Sequence, residues 1–163
     1  MRPDFHIRKF QPDDLRELVT LFRETVHRIN SRDYTPEQIA AWAPPDDDWH
    51  RWKKRFDNLR TLISEREGAM LGFTAFTEAG YVDFLFVHHA HQRSGIARSL
   101  LDEAEKQLRA LGVKRATTHA SITARPFFES RGYVLLEQRW FEKDGVMLTN
   151  FSMDKDLDAQ TDC

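Results

Sequence analysis

Residues 81–101 read Tyr81-Val82-Asp83-Phe84-Leu85-Phe86-Val87-His88-His89-Ala90-His91-Gln92-Arg93-Ser94-Gly95-Ile96-Ala97-Arg98-Ser99-Leu100-Leu101. The first seven are apolar, aromatic and β-branched enough for a strand buried on both faces. After Gly95, Ile96, Leu100, Leu101, Ala104, Leu108 and Leu111 recur at helical spacing, and Gly112 follows as a C-terminal stop. A strand therefore turns directly into the first turn of a helix. The first amides of that helix lack intrahelical partners and carry the positive end of the peptide dipoles, so the turn suits a phosphate group. Arg93 and Arg98 add formal charge, and Gly95 lets the backbone approach an anion.

The chain has 163 residues, of which 40% are hydrophobic, enough to fill one good core. Lys and Arg number 24 against 26 Asp and Glu, so no global field recruits nucleic acid, and the basic cluster from His88 to Arg98 is local. No apolar run reaches the roughly 18 residues of a bilayer span and the N-terminus has no signal-peptide core; we expect a cytoplasmic protein without a membrane partner. The one cysteine, Cys163, ends the chain. That leaves no disulfide framework, no zinc cysteine pair and little support for an acyl-cysteine route.

Working outward, Asp4 to Lys9 alternates as a first strand, and Pro12 opens a helix whose apolar face runs from Leu15 to Ile29. Between Ser31 and Asn58, Tyr34 and three tryptophans crowd around Pro36, Pro44 and Pro45. Thr35 and Asp48 are placed to cap two short helices. Trp42 and Trp52 read as packing onto the sheet, while Tyr34 and Trp49, beside loop residues, are candidates for an acceptor pocket. Thr61–Arg66 and Met70–Thr77 form a hairpin leading to the Tyr81 strand. Beyond the long helix come a strand at Arg115–Ser121, a short helix over Ala124–Arg131, and two long strands around Lys143-Asp144-Gly145. One domain over residues 1–156 with a loose polar tail from Leu157 to Cys163 accounts for the chain.

Gln92-Arg93-Ser94-Gly95-Ile96-Ala97 resembles the Q/R-x-x-G-x-G/A acetyl-CoA pyrophosphate loop of the Gcn5-related N-acetyltransferase (GNAT) superfamily. Ser121-Ile122-Thr123-Ala124-Arg125-Pro126-Phe127-Phe128-Glu129-Ser130-Arg131-Gly132-Tyr133 is similar to that family's N-x-x-A-x-x-F-Y-E-x-x-G-F/Y segment at the same spacing. The resemblance covers Phe5 to about Asp156. It implies an α/β fold with a mixed, mostly antiparallel central sheet flanked by helices, and one splayed parallel strand pair. It also implies acetyl-CoA as co-substrate and a primary amine of a small molecule or peptide as acceptor, in a monomer or homodimer. Two positions depart from the pattern. Ser121 stands where the family often has asparagine, and Phe128 stands where it has the tyrosine proposed to protonate the leaving thiolate. A catalytically impaired acyl-CoA-binding module is the alternative that Phe128 suggests.

With acetyl-CoA bound as the resemblance implies, backbone N–H groups near Phe86 and Val87 face the thioester carbonyl, Leu85 beside them and Ser121 contact the cofactor, and Phe127 and Phe128 pack the pantetheine arm or the core beneath it. A lysine-like amine of pKa ~10.4 is neutral about once in 2,500 at pH 7, a penalty near ~4.6 kcal/mol that a base or a dry pocket must offset. Period-two alternation puts Tyr81, Asp83, Leu85 and Val87 on one strand face, which makes Asp83 a candidate base and Tyr81 a substitute acid. His119 titrates near neutrality and is a second candidate. His88, His89 and His91 line the loop; their spacing does not define a metal site and no nearby carboxylate is evident in the sequence, so no metal is expected.

Overall fold

A computed structural model describes residues 4–46 and 48–158; Cys163 lies outside them. Seven strands form one sheet in the order β1-β2-β3-β4-β5-β7-β6. The strands are β1 (His6–Lys9), β2 (Arg60–Arg66), β3 (Ala69–Phe76), β4 (Tyr81–Val87), β5 (Arg115–Ala120), β6 (Val134–Lys143) and β7 (Val146–Asp156). Every neighbouring pair is antiparallel except β4 and β5. The helices are α1 (Leu15–Arg28), α2 (Pro36–Trp42), α3 (Trp49–Asp57), α4 (Ile96–Ala110) and α5 (Arg125–Ser130). This is the mixed, mostly antiparallel sheet with one parallel pair expected from the sequence. None of the described helices is long and apolar enough to cross a membrane.

The capping signals act as written. Thr35 and Gln38 form a reciprocal capping box on α2, and Asp48 accepts the Arg51 N–H at the start of α3. Two cores lie on opposite sheet faces. Leu18, Val19, Phe22 and Val26 of α1 pack with Ile63, Phe73 and Phe84 on one; Leu100, Leu101 and Leu108 of α4 pack with Leu71, Val82 and Met153 on the other. The second core also holds Leu157, at 2% exposure, with its N–H on the Lys114 carbonyl and its own carbonyl accepting from Arg109. Leu157 therefore belongs to the packed body rather than to a loose tail.

Two irregularities of β4 build the site. Its parallel pairing with β5 is confined to Tyr81↔Thr117 and Val82↔Thr118, after which the strands diverge. A bulge leaves Asp83 without a partner, since Ala75 faces Phe84 and Phe76 faces Val82. The extra residue resets the alternation: Val82, Leu85 and Val87 pack with α4, whereas Phe84 and Phe86 pack with α1. Tyr81, Asp83, Leu85 and Val87 consequently do not share one face, which corrects the period-two expectation.

Candidate active site

The gap between β4 and β5 opens into a cavity of about 1220 Å³ that runs from the first turn of α4 to the β6–β7 hairpin. At the α4 end, Arg93 and Gly95 both have left-handed backbones, φ 59° and 83°. A Cβ placed on Gly95 would meet open space, so glycine is needed there for its backbone conformation and not for crowding. This turn presents the amides of Ile96, Ala97 and Arg98 to the cavity, the first intrahelical bond being that from Ser99 to Gly95. The side chains of Arg93 and Arg98 are exposed at the same mouth. Ile96 itself is core, at 2% exposure.

The other loop side chains hold the loop. Gln92 donates from Nε2 to the Val87 carbonyl at 2.7 Å, and Ser94 donates to the His91 carbonyl at 2.6 Å. Thr25 of α1 also donates to Val87, at 3.2 Å. Strand alternation assigns the amides of β4. His88 N–H bonds Leu71 in β3, and with Gly72↔Val87 and Phe73↔Phe86 in register, the N–H of Phe86 faces β3 while those of Leu85 and Val87 face the gap. Of the two residues expected to offer amides, Val87 does so and Phe86 does not; Leu85 supplies the second. The Phe86 ring packs edge-on against Phe22.

Ser121 and Phe128 have structural duties. Ser121 Oγ accepts the Ala124 N–H at 3.0 Å and a longer bond from Asn30. Phe128, at 3% exposure, packs edge-on to Phe127 and Tyr133, and Phe127 is the more open ring along the cavity.

At the acceptor end Trp42 and Trp52 pack against the core on the α1 face of the sheet, as expected of them. Trp42 and Trp52 line the cavity. Trp49 is turned away, with the Arg16 guanidinium 4.9 Å from its ring centroid. Trp49 is the first residue of α3 and packs toward Arg16 at the start of α1, whereas Trp52, nearly one turn further along, packs edge-on to Phe22 beside the cavity. Tyr34 is buried and bridges strands; its hydroxyl accepts the Ile122 N–H at 2.9 Å and donates to the Thr149 carbonyl at 2.8 Å, filling the rung that β5 and β7 would make next. Burial raises its pKa.

Asp83 meets Arg55 of α3 at 3.1 Å, and that guanidinium lies 4.7 Å over Phe84. Tyr81 Oη and His119 Nδ1 are 3.2 Å apart. Burial raises the Tyr81 pKa, with Asp83 adding to it; burial lowers that of His119, with Arg139 adding to it. The hydroxyl thus stays protonated and the imidazole neutral near pH 7. Arg55, Lys143 and Phe141 also line this end. Nothing in their local sequence marked them, since they reach the cavity only through the packing of α3 and the β6–β7 hairpin.

The histidine cluster has a carboxylate after all. Glu24 of α1 joins His88 and His89, with ligand atoms within 4.8 Å of one another. His88 Nδ1, however, accepts the Ala90 N–H at 3.0 Å, which leaves the proton on Nε2 and opposes ligation through that atom.

Residues 30–155 match the family model described as an acetyltransferase (GNAT) domain. The chain is 35% identical over 150 residues to the uncharacterized N-acetyltransferase YafP of Escherichia coli (strain K12), covering 92% of this chain and 95% of that protein. The crystal structure of a GCN5-related N-acetyltransferase from Rhodopseudomonas palustris is similar with a TM-score of 0.90 at 29% identity, over 96% of this chain and 97% of that one. PaiA N-acetyltransferase from Thermoplasma acidophilum, solved in complex with coenzyme A, shares the fold with a TM-score of 0.74 at 18% identity, over 93% and 98%.

Proposed function

The chain belongs to the GNAT family of N-acetyltransferases, and from that premise we propose that it transfers an acetyl group from acetyl-CoA directly to a primary amine of a small molecule. The observation that carries this reading is the continuity of one cavity from the free amides of α4, past the open N–H groups of Leu85 and Val87, to the Tyr81–His119 pair. A relative of the same fold was solved with coenzyme A, which supports the donor.

Acetyl-CoA supplies an acyl group already activated as a thioester, with a leaving thiol of pKa near ~8.5. Arg93, Arg98 and the amides of Ile96, Ala97 and Arg98 hold its diphosphate. Phe127 packs its arm. Leu85 and Val87 donate N–H groups to the carbonyl oxygen as negative charge develops there. Asp83, fixed by Arg55, receives the acceptor as an ammonium. His119 Nε2 takes the amine's proton while Nδ1–H is donated to Tyr81. Tyr81 protonates the departing sulfur as the C–S bond breaks and is recharged by the imidazolium through the same contact; the second proton that the ammonium loses in becoming an amide passes to solvent, which closes the proton balance. Tyr81 thereby replaces the tyrosine that Phe128 displaces.

Trp42, Trp52 and Phe141 enclose the acceptor end, which favours a compact amine over a long peptide. The test is thiol release from acetyl-CoA with a panel of small amines and lysine peptides. Turnover that depends on a small amine is expected. Tight coenzyme A binding with no acceptor-dependent turnover supports the impaired module instead, the reading favoured by a buried Phe128 that has no proton to give.

A further inference from the structure

The charged groups of the acceptor end come from two sides. α3 supplies Arg51 and Arg55, and the β6–β7 hairpin supplies Lys143. Lys143, Phe141 and Arg139 follow one another on one face of β6, opposite Val146, Leu148 and Asn150 of β7. Phe141, Val146 and Leu148 pack with the α1 core, so this face carries Lys143 and Asn150 to the cavity they line.

Pairing within the protein leaves hydrogen-bond donors over. Arg51 meets Asp46. Arg55 gives one nitrogen, Nη2, to both oxygens of Asp83 at 3.1 and 3.2 Å, and its Nε and Nη1 have no partner among the described residues. Lys143 reaches no carboxylate among the described residues, Asp144 beside it included; its Nζ donates to the Trp42 carbonyl at the end of α2, at 3.0 Å, which uses one of the ammonium's three donors. Asn150 gives its Oδ1 to Arg139 at 2.9 Å and has only its Nδ2 donors left for the cavity. Removal from water lowers the Lys143 pKa, and Arg55 and Arg51 lower it further against the pull of Asp144. An acceptor that brings only an ammonium satisfies Asp83 and sets a like charge beside these donors. One that also brings a carboxylate satisfies both.

We propose that the acceptor is a zwitterion, a small amine that carries its own carboxylate, with the ammonium at Asp83 and the carboxylate between Lys143 Nζ and the unused edge of Arg55. The Asp83 carboxylate and the Arg55 guanidinium stand side by side, and an amino acid presents the complementary pair of charges in the same arrangement. Lys143 then serves as the residue that separates amino acids from plain amines, and it takes no part in the bond changes. This inference rests on the acetyl-transfer reading of the cavity and adds the class of its acceptor.

The experiment measures kcat/KM of the full chain with acetyl-CoA for the common α-amino acids, β-alanine and 4-aminobutyrate, each beside its decarboxylated amine. Lys143→Met and Lys143→Arg, checked for native circular dichroism, are run on the same pairs, and comparing variant with wild type cancels the difference in amine basicity within a pair. The wild type is expected to favour the acid in at least one pair by about tenfold or more. Lys143→Met cuts that ratio about tenfold, chiefly through KM, and Lys143→Arg restores most of it. Quenching of tryptophan fluorescence in the coenzyme A-loaded chain by the same compounds gives the corresponding ratio of dissociation constants without turnover, since Trp42 and Trp52 line this end. Turnover of plain amines with no preference for the acid overturns this inference and leaves the acetyl-transfer reading standing. So does a preference that Lys143→Met does not move. Amino-acid binding that depends on Lys143, with no turnover of any compound, upholds the zwitterion site and overturns the transfer reading. Neither binding nor turnover overturns both.

Discussion

Tyr81 Oη and His119 Nδ1 stand 3.2 Å apart where β4 and β5 begin to diverge. Two residues separated by 38 positions in sequence thus come within hydrogen-bond reach. Burial first, and Arg139 second, keep the His119 pKa below its ordinary value near ~6.5. In the proposed mechanism the neutral imidazole is the active form, so the acid limb of kcat/KM is expected below that pH. His119→Ala is expected to abolish the limb and lower kcat by about 10²–10⁴. Tyr81→Phe lowers kcat but keeps the limb. A pH–rate profile of His119→Ala that matches the wild type would remove His119 from the mechanism.

Gly95 and Arg93 test the diphosphate site. Gly95→Glu puts an L side chain at φ 83°, a strain of about 1–3 kcal/mol, and adds negative charge where an anion is to bind. Arg93→Glu reverses a charge at the same mouth without that backbone strain. Calorimetric titration with coenzyme A is expected to show affinity reduced more than tenfold in each. Unchanged affinity in both would place the cofactor elsewhere.

Tyr34→Phe removes one hydroxyl that satisfies two backbone groups. The Ile122 N–H and Thr149 carbonyl lose their bridge in a buried position, a cost of about 1–3 kcal/mol. A chain of this size loses about 2–4 °C in Tm for each kcal/mol, which a thermal melt resolves. A Tm equal to the wild type would show that the rung closes without the hydroxyl.

Glu105 on α4 is 2% exposed and accepts from Lys155 at 2.8 Å and from the Tyr133 hydroxyl at 2.8 Å. Lys155→Met strips a buried carboxylate of its nearest cation, and urea denaturation is expected to show a loss of about 3–5 kcal/mol. Glu105→Leu combined with Lys155→Met removes the uncompensated charge and recovers much of that loss. Equal stability of Lys155→Met and the wild type would show that Arg109, 3.8 Å away, carries the compensation.

What was legible in the sequence is what depends on neighbours along the chain. The α4 periodicity, the Thr35 and Asp48 caps, and the glycine before α4 follow from local backbone and solvation rules. These are enough to give the succession of elements along the chain and the strand-to-helix turn before α4. Trp49 was misread because a helix of nine residues has no long apolar stripe to say which ring faces inward. Tyr34 lines the cavity as expected, but its bridge between strands was not legible because its partners, Ile122 and Thr149, lie 88 and 115 residues away.

The sequence by itself determined the elements and the glycine turn that opens α4, since hydrogen-bond capping and apolar spacing act over a few residues. Only the tertiary structure decided which groups meet in the cavity. A single unpaired residue in β4, Asp83, reverses the strand's faces, and the early end of the β4–β5 pairing exposes Leu85 and Val87. Both depend on register against another strand, which one strand's own residues cannot encode.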